Sequence, residues 1–273
     1  MQIIDTHAHV WIHNREFPWA RENVGTPESD AHPEALLNSM TENGVALAVL
    51  VQYVGYAWDN RYVLHAQKHF PSRFLAVCRV NPVDVRAPDH LSYWTEVHGF
   101  RGVRLSPDPA RRDDWFGAPL MVPLFRRANL LNVPVLILTG PYRLLELAQL
   151  LEQVPETVIV LDHMADCING SAEDIALLLS LAKYPSVYLK MCHILIEPSE
   201  HQPRNDIRLF LKQVVGAFGA SRIMWGSDWP FCLERRTYPQ AIAYFRDKMD
   251  FLTEDDLEWF YQKTALRLWP FNV

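Results

Sequence analysis

Asp5-Thr6-His7-Ala8-His9 closes the first apolar run of the chain and sets two imidazoles two residues apart. On a strand, residues i and i+2 point the same way, so His7 and His9 can converge on one point. Two neutral ring nitrogens side by side begin a metal site, and they equally suit a hydrogen-bonded pair packing a barrel mouth. Gly226-Ser227-Asp228-Trp229-Pro230 follows the last apolar run. There Asp228 can bind a metal or take a proton from an attacking water, although an aspartate before a proline also caps turns. Leu161-Asp162-His163 offers a third imidazole, able to polarise a carbonyl, ligate a metal or serve as a structural histidine. Lys190 ends the run Val187-Tyr188-Leu189-Lys190, either as a snorkelling rim residue or as a ligand contact. In Arg101-Gly102-Val103-Arg104-Leu105 the two arginines point to opposite sides of a regular strand. Arg104, nearer the strand end, is the one expected to face inward, with a planar fork suited to a substrate carboxylate.

The elements that must position these groups alternate along the chain. Short apolar runs at residues 2–5, 47–52, 74–79, 102–105, 135–138, 158–161, 187–190 and 223–225 read as strands. Several are nearly continuous Val, Ile and Leu, as parallel strands covered on both sides require. Helix-period segments are expected at 33–43, 60–69, 90–97, 120–131, 142–152, 171–183, 206–217 and 254–267. Ser171 with Asp174, and Thr253 with Asp256, are spaced as capping boxes. This alternation predicts an α/β chain, a TIM-like (β/α)₈ barrel of parallel strands surrounded by helices, with residues 1–273 as a single domain. The longer irregular stretches, 11–32, 106–118, 192–204 and 229–238, follow strands and should gather at the C-terminal face. They are rich in Trp, Arg, His and Pro, which suits a pocket with aromatic walls and cationic contacts.

Composition narrows the function classes. The chain has 273 residues, 49% hydrophobic and 21% charged, which allows a sizeable core and argues against disorder. A formal net charge of −6 with no basic run beyond a pair such as Arg111-Arg112 speaks against a nucleic-acid partner. Cys78, Cys167, Cys192 and Cys232 form no C-x-x-C pair and fit free thiols in a reducing cytosol. No apolar run reaches the roughly 18 residues a bilayer span needs, and the start of the chain lacks a secretory pattern. A cytoplasmic protein without membrane association is the expectation. Trp259, Phe260 and Trp269 on the last helix should pack on the barrel rather than on a partner subunit.

Asp5-Thr6-His7-Ala8-His9-Val10-Trp11, Leu161-Asp162-His163 and Met224-Trp225-Gly226-Ser227-Asp228-Trp229-Pro230 together resemble the amidohydrolase superfamily, of the amidohydrolase-2 type. The likeness is strongest to its branch of sugar lactonases and 2-pyrone-4,6-dicarboxylate lactonase. It covers nearly the whole chain. The resemblance implies that Asp228 activates water and that His7, His9 and His163 surround the reacting carbonyl. In metal-using relatives the paired histidines and the last-strand aspartate hold a divalent ion, commonly with a histidine or modified lysine from the fourth or fifth strand. Here the fifth strand reads Val135-Leu136-Ile137-Leu138-Thr139-Gly140, without histidine, and the fourth offers Arg104. His7, His9 and Asp228 alone suffice for a catalytic zinc, since three protein ligands plus water complete such a site.

The expected activity is hydrolysis of a small carboxylated or polyhydroxylated lactone, with or without zinc and with no organic cofactor. Arg104 and Lys190 would anchor the substrate, and Trp11, Tyr53 and Trp229 would wall the pocket. A metal-dependent decarboxylase of the same superfamily is the alternative. A catalytically silent ligand-binding barrel is a third reading, opposed by four polar groups kept together at a barrel mouth.

Overall fold

The computed structural model describes residues 2–20, 26–106, 116–117, 119–192, 206–269 and 271. Among them eight strands follow one another: β1 (Ile3–Ala8), β2 (Val45–Val51), β3 (Phe74–Val77), β4 (Val103–Leu105), β5 (Val135–Ile137), β6 (Ile159–Leu161), β7 (Val187–Met191) and β8 (Ile223–Trp225). A helix follows each in turn: α1 (Pro33–Glu42), α2 (Arg61–His69), α3 (Ala87–Ser92), α4 (Met121–Leu130), α5 (Leu144–Leu151), α6 (Ala172–Ser180), α7 (Ile207–Phe218) and α8 (Tyr238–Lys248). The chain then adds α9 (Glu254–Glu258) and α10 (Thr264–Leu268). All pairings are parallel, in the orders β1-β2-β3 and β4-β5-β6-β7-β8.

Two seams join these sheets through single bridges rather than full ladders, Cys78 with Val103 and Ala8 with Trp229. Arg104 N donates to Cys78 O at 2.7 Å across the first seam. Across the second, Asp228 N donates to His7 O at 2.8 Å and His9 N to Trp229 O at 2.7 Å. This is the parallel, helix-covered architecture that the alternation predicts.

Side-chain alternation separates two cores. Leu47, Val49 and Val51 of β2 join Ile4, Val77, Leu136, Val160, Tyr188 and Met224 in an interior cluster. Their neighbours Ala48, Leu50, Ala76, Val135, Ile137, Leu161, Leu189 and Trp225 pack outward against the helices. Each large apolar side chain buried this way contributes roughly 1.5–3 kcal/mol. Trp269, fully buried just after α10, belongs to the interior cluster and donates its indole N–H to Arg101 O at 2.8 Å. Phe260 is buried as well, so the last helical stretch packs on its own barrel.

Some boundaries differ from expectation. β1 runs on to Ala8, because its polar end is held by β2 on one side and the 228–229 backbone on the other. The helix expected over 254–267 is two helices joined by a wider turn at Trp259–Lys263. α8 was not anticipated. Its start carries a capping-box pattern, with Gln240 Oε1 accepting from Thr237 N at 2.8 Å and a proline in the first turn. The two anticipated boxes are present, at Ser171/Asp174 and Thr253/Asp256. All four cysteines are free and buried. Among the described residues no helix is long and apolar enough to cross a membrane.

Candidate active site

The same alternation that fills the lower barrel with apolar side chains directs charged ones inward near the strand ends. Lys190 lies two residues beyond the interior Tyr188, and Asp162 two beyond Val160. Arg104 sits between the outward Val103 and Leu105 and is buried, whereas Arg101 is exposed. Asp162 is the hub of this tier. Its Oδ2 accepts from Arg104 Nε at 2.9 Å, and its Oδ1 lies 3.4 Å from Lys190 Nζ and 3.3 Å from His7 Nδ1. Lys190 Nζ is also 3.2 Å from His7 Nδ1 and 5.6 Å from the Trp269 ring centre below. Burial pushes the Asp162 carboxyl up, but Lys190, His7 and Arg104 hold it well below the usual range. Lys190 is lowered, chiefly by burial and against the pull of Asp162.

Above this tier, three ligating atoms converge. His7 Nε2 is 3.2 Å from His9 Nε2 and 3.4 Å from Asp228 Oδ1, and His9 Nε2 is 3.3 Å from Asp228 Oδ1. A tetrahedral ion with bonds of ~2.0–2.1 Å spaces its ligands about 3.3 Å apart. His9 Nδ1 reaches Val51 O at 2.7 Å, so with its proton there Nε2 presents a lone pair. His7 Nδ1 lies 3.2 Å from Lys190 Nζ and 3.3 Å from Asp162 Oδ1, and His7 Nε2 presents a lone pair when the ring proton sits on Nδ1. Three ligating atoms facing one another in a buried place are a donor set for a divalent cation, and both rings are engaged on the far nitrogen, His9 Nδ1 by Val51 O and His7 Nδ1 by Lys190 Nζ.

Local backbone makes the convergence fit. A Cβ on Gly226 would stand 2.6 Å from His7 Cβ, so only glycine lets the His7 side chain lie against β8. Asp228 has φ +59, a left-handed conformation that aspartate tolerates better than most residues. Asp5 braces the region from outside. It accepts from Ser227 Oγ (2.6 Å), Tyr238 OH (2.9 Å), Ser227 N (2.9 Å) and His7 N (3.1 Å). His163 opens a left-handed turn of four residues, His163–Asp166, with φ between 52 and 54. Such a run costs ~1–2 kcal/mol per residue, and here it holds the His163 ring 5.1 Å from that of His7. His163 Nδ1 is buried with no partner among the described residues.

The electrostatics fix charge states. Burial lowers His7 well below the ordinary histidine value and lowers His9 as well, so both are neutral near pH 7. Burial would raise Asp228, but His163, His9 and His7 pull it below the usual carboxylate range, and it is ionised.

The structure brings His7, His9, His163 and Asp228 together, with Arg104 and Lys190 beneath them joined to Asp162. Trp11 stacks at 4.6 Å on Tyr53 and 5.3 Å on Phe231, and Tyr53 and Phe231 each lie 5.9 Å from His9. Trp229 is buried, gives its carbonyl to His9 N, and leaves its indole N–H unpartnered among the described residues. Arg111 and Arg112 lie outside the described residues. Sequence reasoning passed over Asp5, Asp162, Phe231 and Arg79. For Asp162 and Arg79 the signal was available, since each is a charged residue two positions beyond an inward apolar one.

The family model described as Amidohydrolase matches residues 4–271. The chain is 28% identical over 231 residues to an L-fucono-1,5-lactonase of Burkholderia ambifaria, covering 83% of this chain and 80% of that one. It is 29% identical over 239 residues to a 2-pyrone-4,6-dicarboxylate hydrolase of Comamonas testosteroni, covering 83% and 76%. Among solved structures, a probable 2-pyrone-4,6-dicarboxylic acid hydrolase of Acinetobacter baumannii with citric acid bound superposes with TM-score 0.79, 22% identity and coverage of 98% and 99%. A zinc-bound amidohydrolase of Burkholderia multivorans gives 0.79, 20%, and 99% and 100%. A 2,6-dihydroxybenzoate decarboxylase of Rhizobium gives 0.68, 15%, and 98% of both chains. With its TIM-barrel architecture, its strand-end His7, His9, His163 and Asp228, and a family match that spans nearly its whole length, the chain belongs to the amidohydrolase family.

Proposed function

We propose that this protein opens a small lactone by hydrolysis. The observation that carries the reading is an ionised Asp228 held between two neutral, buried histidines, with His163 and its unpartnered nitrogen alongside. Asp228 takes a proton from water as the water oxygen bonds to the lactone carbonyl carbon. The carbonyl becomes an oxyanion, and His163 lies where it can donate to that charge. When the intermediate collapses, the ring C–O bond breaks and the proton on Asp228 passes to the departing alkoxide. A cyclic ester suits the site because its alkoxide leaves with less protonation than an amine needs.

His7, His9 and Asp228 would hold a divalent ion, and zinc suits two imidazoles and one carboxylate. When bound, such an ion supplies Lewis-acid polarisation of the carbonyl or the water. Asp162 and Lys190 act through His7, holding its ring in place, while Arg104 secures Asp162. The aromatic group of Trp11, Tyr53 and Phe231, together with Trp229, excludes water around His9.

The lactonase and pyrone hydrolase relatives support the ester chemistry. The decarboxylase shares only the fold at its 15% identity, so decarboxylation is the weaker reading. The test is a panel of sugar lactones and carboxylated pyrones followed by acid release in weakly buffered solution, with dihydroxybenzoates assayed in parallel for carbon dioxide. Lactone opening without carbon dioxide release is the expected result. Carbon dioxide release with no lactone opening would overturn the proposal in favour of the decarboxylase.

A further inference from the structure

Four cationic side chains are buried among the described residues: Arg79, Arg104, Arg143 and Lys190. Arg104 and Lys190 share Asp162, and Arg143 pairs with Glu146. Arg79 has no acidic partner among the described residues. It is 5% exposed, its Nη1 donates to Ser106 Oγ at 2.7 Å, and its Nε is buried without an acceptor. Among the described residues no acid offsets its burial, and Arg104 is close enough to add repulsion. A guanidinium keeps its proton in such a place, so the charge itself is what burial leaves uncompensated.

Its position is built rather than accidental. Arg79 lies two residues beyond the interior Val77, at the strand ends where the reacting groups also sit. Asn60 clamps its backbone from both sides, accepting from Arg79 N at 2.8 Å and donating to Arg79 O at 2.9 Å. The guanidinium lies 5.2 Å from the centre of the half-exposed Trp58 ring. Arg79 and Trp58 line a cavity of about 150 Å³ together with Asn81, Asp84, His90 and Trp94. Asp84 there is occupied by its own neighbours, accepting from Arg86 N at 2.8 Å.

The geometry points to Arg79, with Ser106 and Trp58, as an anion subsite at the barrel mouth that receives a carboxylate carried by the lactone ring. The inference rests on the lactonase reading and narrows it to anionic lactones over neutral sugar lactones. A carboxylate arriving there supplies a counter-charge that the described residues do not, and an acceptor for Nε.

The experiment separates this inference from the lactonase reading. Isophthalate, a planar dicarboxylate that cannot be hydrolysed, is titrated calorimetrically into the wild type, Arg79→Met and Arg79→Lys. Wild type should bind it, Arg79→Met should weaken binding by about 100-fold, and Arg79→Lys should recover part of the loss. The melting temperature of Arg79→Met should hold or rise, because an unpaired buried charge is removed. In turnover, the ratio of kcat/KM for 2-pyrone-4,6-dicarboxylate over L-fucono-1,5-lactone should fall by a similar factor. Isophthalate binding that is absent in wild type or unchanged in Arg79→Met overturns the subsite. So does a lower melting temperature with both lactones affected alike. Arg79-dependent isophthalate binding without any lactone opening would sustain the subsite and defeat the lactonase reading.

Discussion

The lower and upper halves of the barrel interior follow one alternation rule with opposite contents. Below, Ile4, Leu47, Val49, Leu136, Val160 and Met224 close on Trp269 in an apolar plug. Above, the same inward positions carry Arg79, Arg104, Asp162 and Lys190, capped by His7, His9 and Asp228. Apolar burial stabilises the fold, whereas buried charge costs stability unless each group is paired. The lesson is a division of labour along one axis: the plug and the outer helices supply stability, and the mouth spends it on holding ionised groups in fixed geometry.

Substitutions can break that contrast. The largest effect on stability should come from Asp162→Leu, which leaves Lys190 and Arg104 buried without a counter-charge and should cost about 3–5 kcal/mol by denaturant unfolding. It should also free the His7 ring, so lactone turnover falls further than stability alone explains. In the plug, Leu136→Ala should cost about 2–5 kcal/mol and leave the pH profile of turnover in place, because it removes only apolar packing and no titratable group.

Smaller effects sharpen the comparison. His7 and His9 are lowered from 6.5 by burial, so the unfolded chain binds more protons than the folded one below that pH. Their contribution to stability is therefore full above pH 6.5 and is lost as the pH falls below it. Asp162 and Asp228, held below their ordinary 3.8, add a second loss at lower pH still. Thermal melts from pH 8 to pH 4 should show the first decline beginning near 6.5, and a flat profile to pH 5 would contradict neutral histidines. The smallest change should be Tyr238→Phe, which removes one of the hydrogen bonds to Asp5 and should cost about 1 kcal/mol in the same melts.

Much of this was legible in the sequence. The strands at 45–51 and 135–137 are continuously apolar in Val, Leu, Ile and Ala, and hydrophobic patterning alone places them at 47–52 and 135–138. H-x-H, D-H and G-S-D mark strand ends and located the reacting cluster. The hub role of Asp162 was harder to see, because it depends on which residues from β4, β6 and β7 face one another, a long-range relation no local pattern carries. α8 escaped although Thr237 and Gln240 form a capping box, because the preceding loop was read as continuing through Tyr238. The left-handed turn at His163–Asp166 left little signal, since it contains no glycine and its middle residues, Met164 and Ala165, do not favour that conformation.

The most direct test is the initial rate of lactone opening by Asp228→Asn beside wild type, at matched metal content and with the fold checked by melting temperature. The amide keeps the shape but cannot accept the proton, so kcat should fall by about 10²–10⁴-fold with the melting temperature little changed. A folded Asp228→Asn protein that opens the lactone at near the wild-type rate would contradict the assignment of Asp228 as the base.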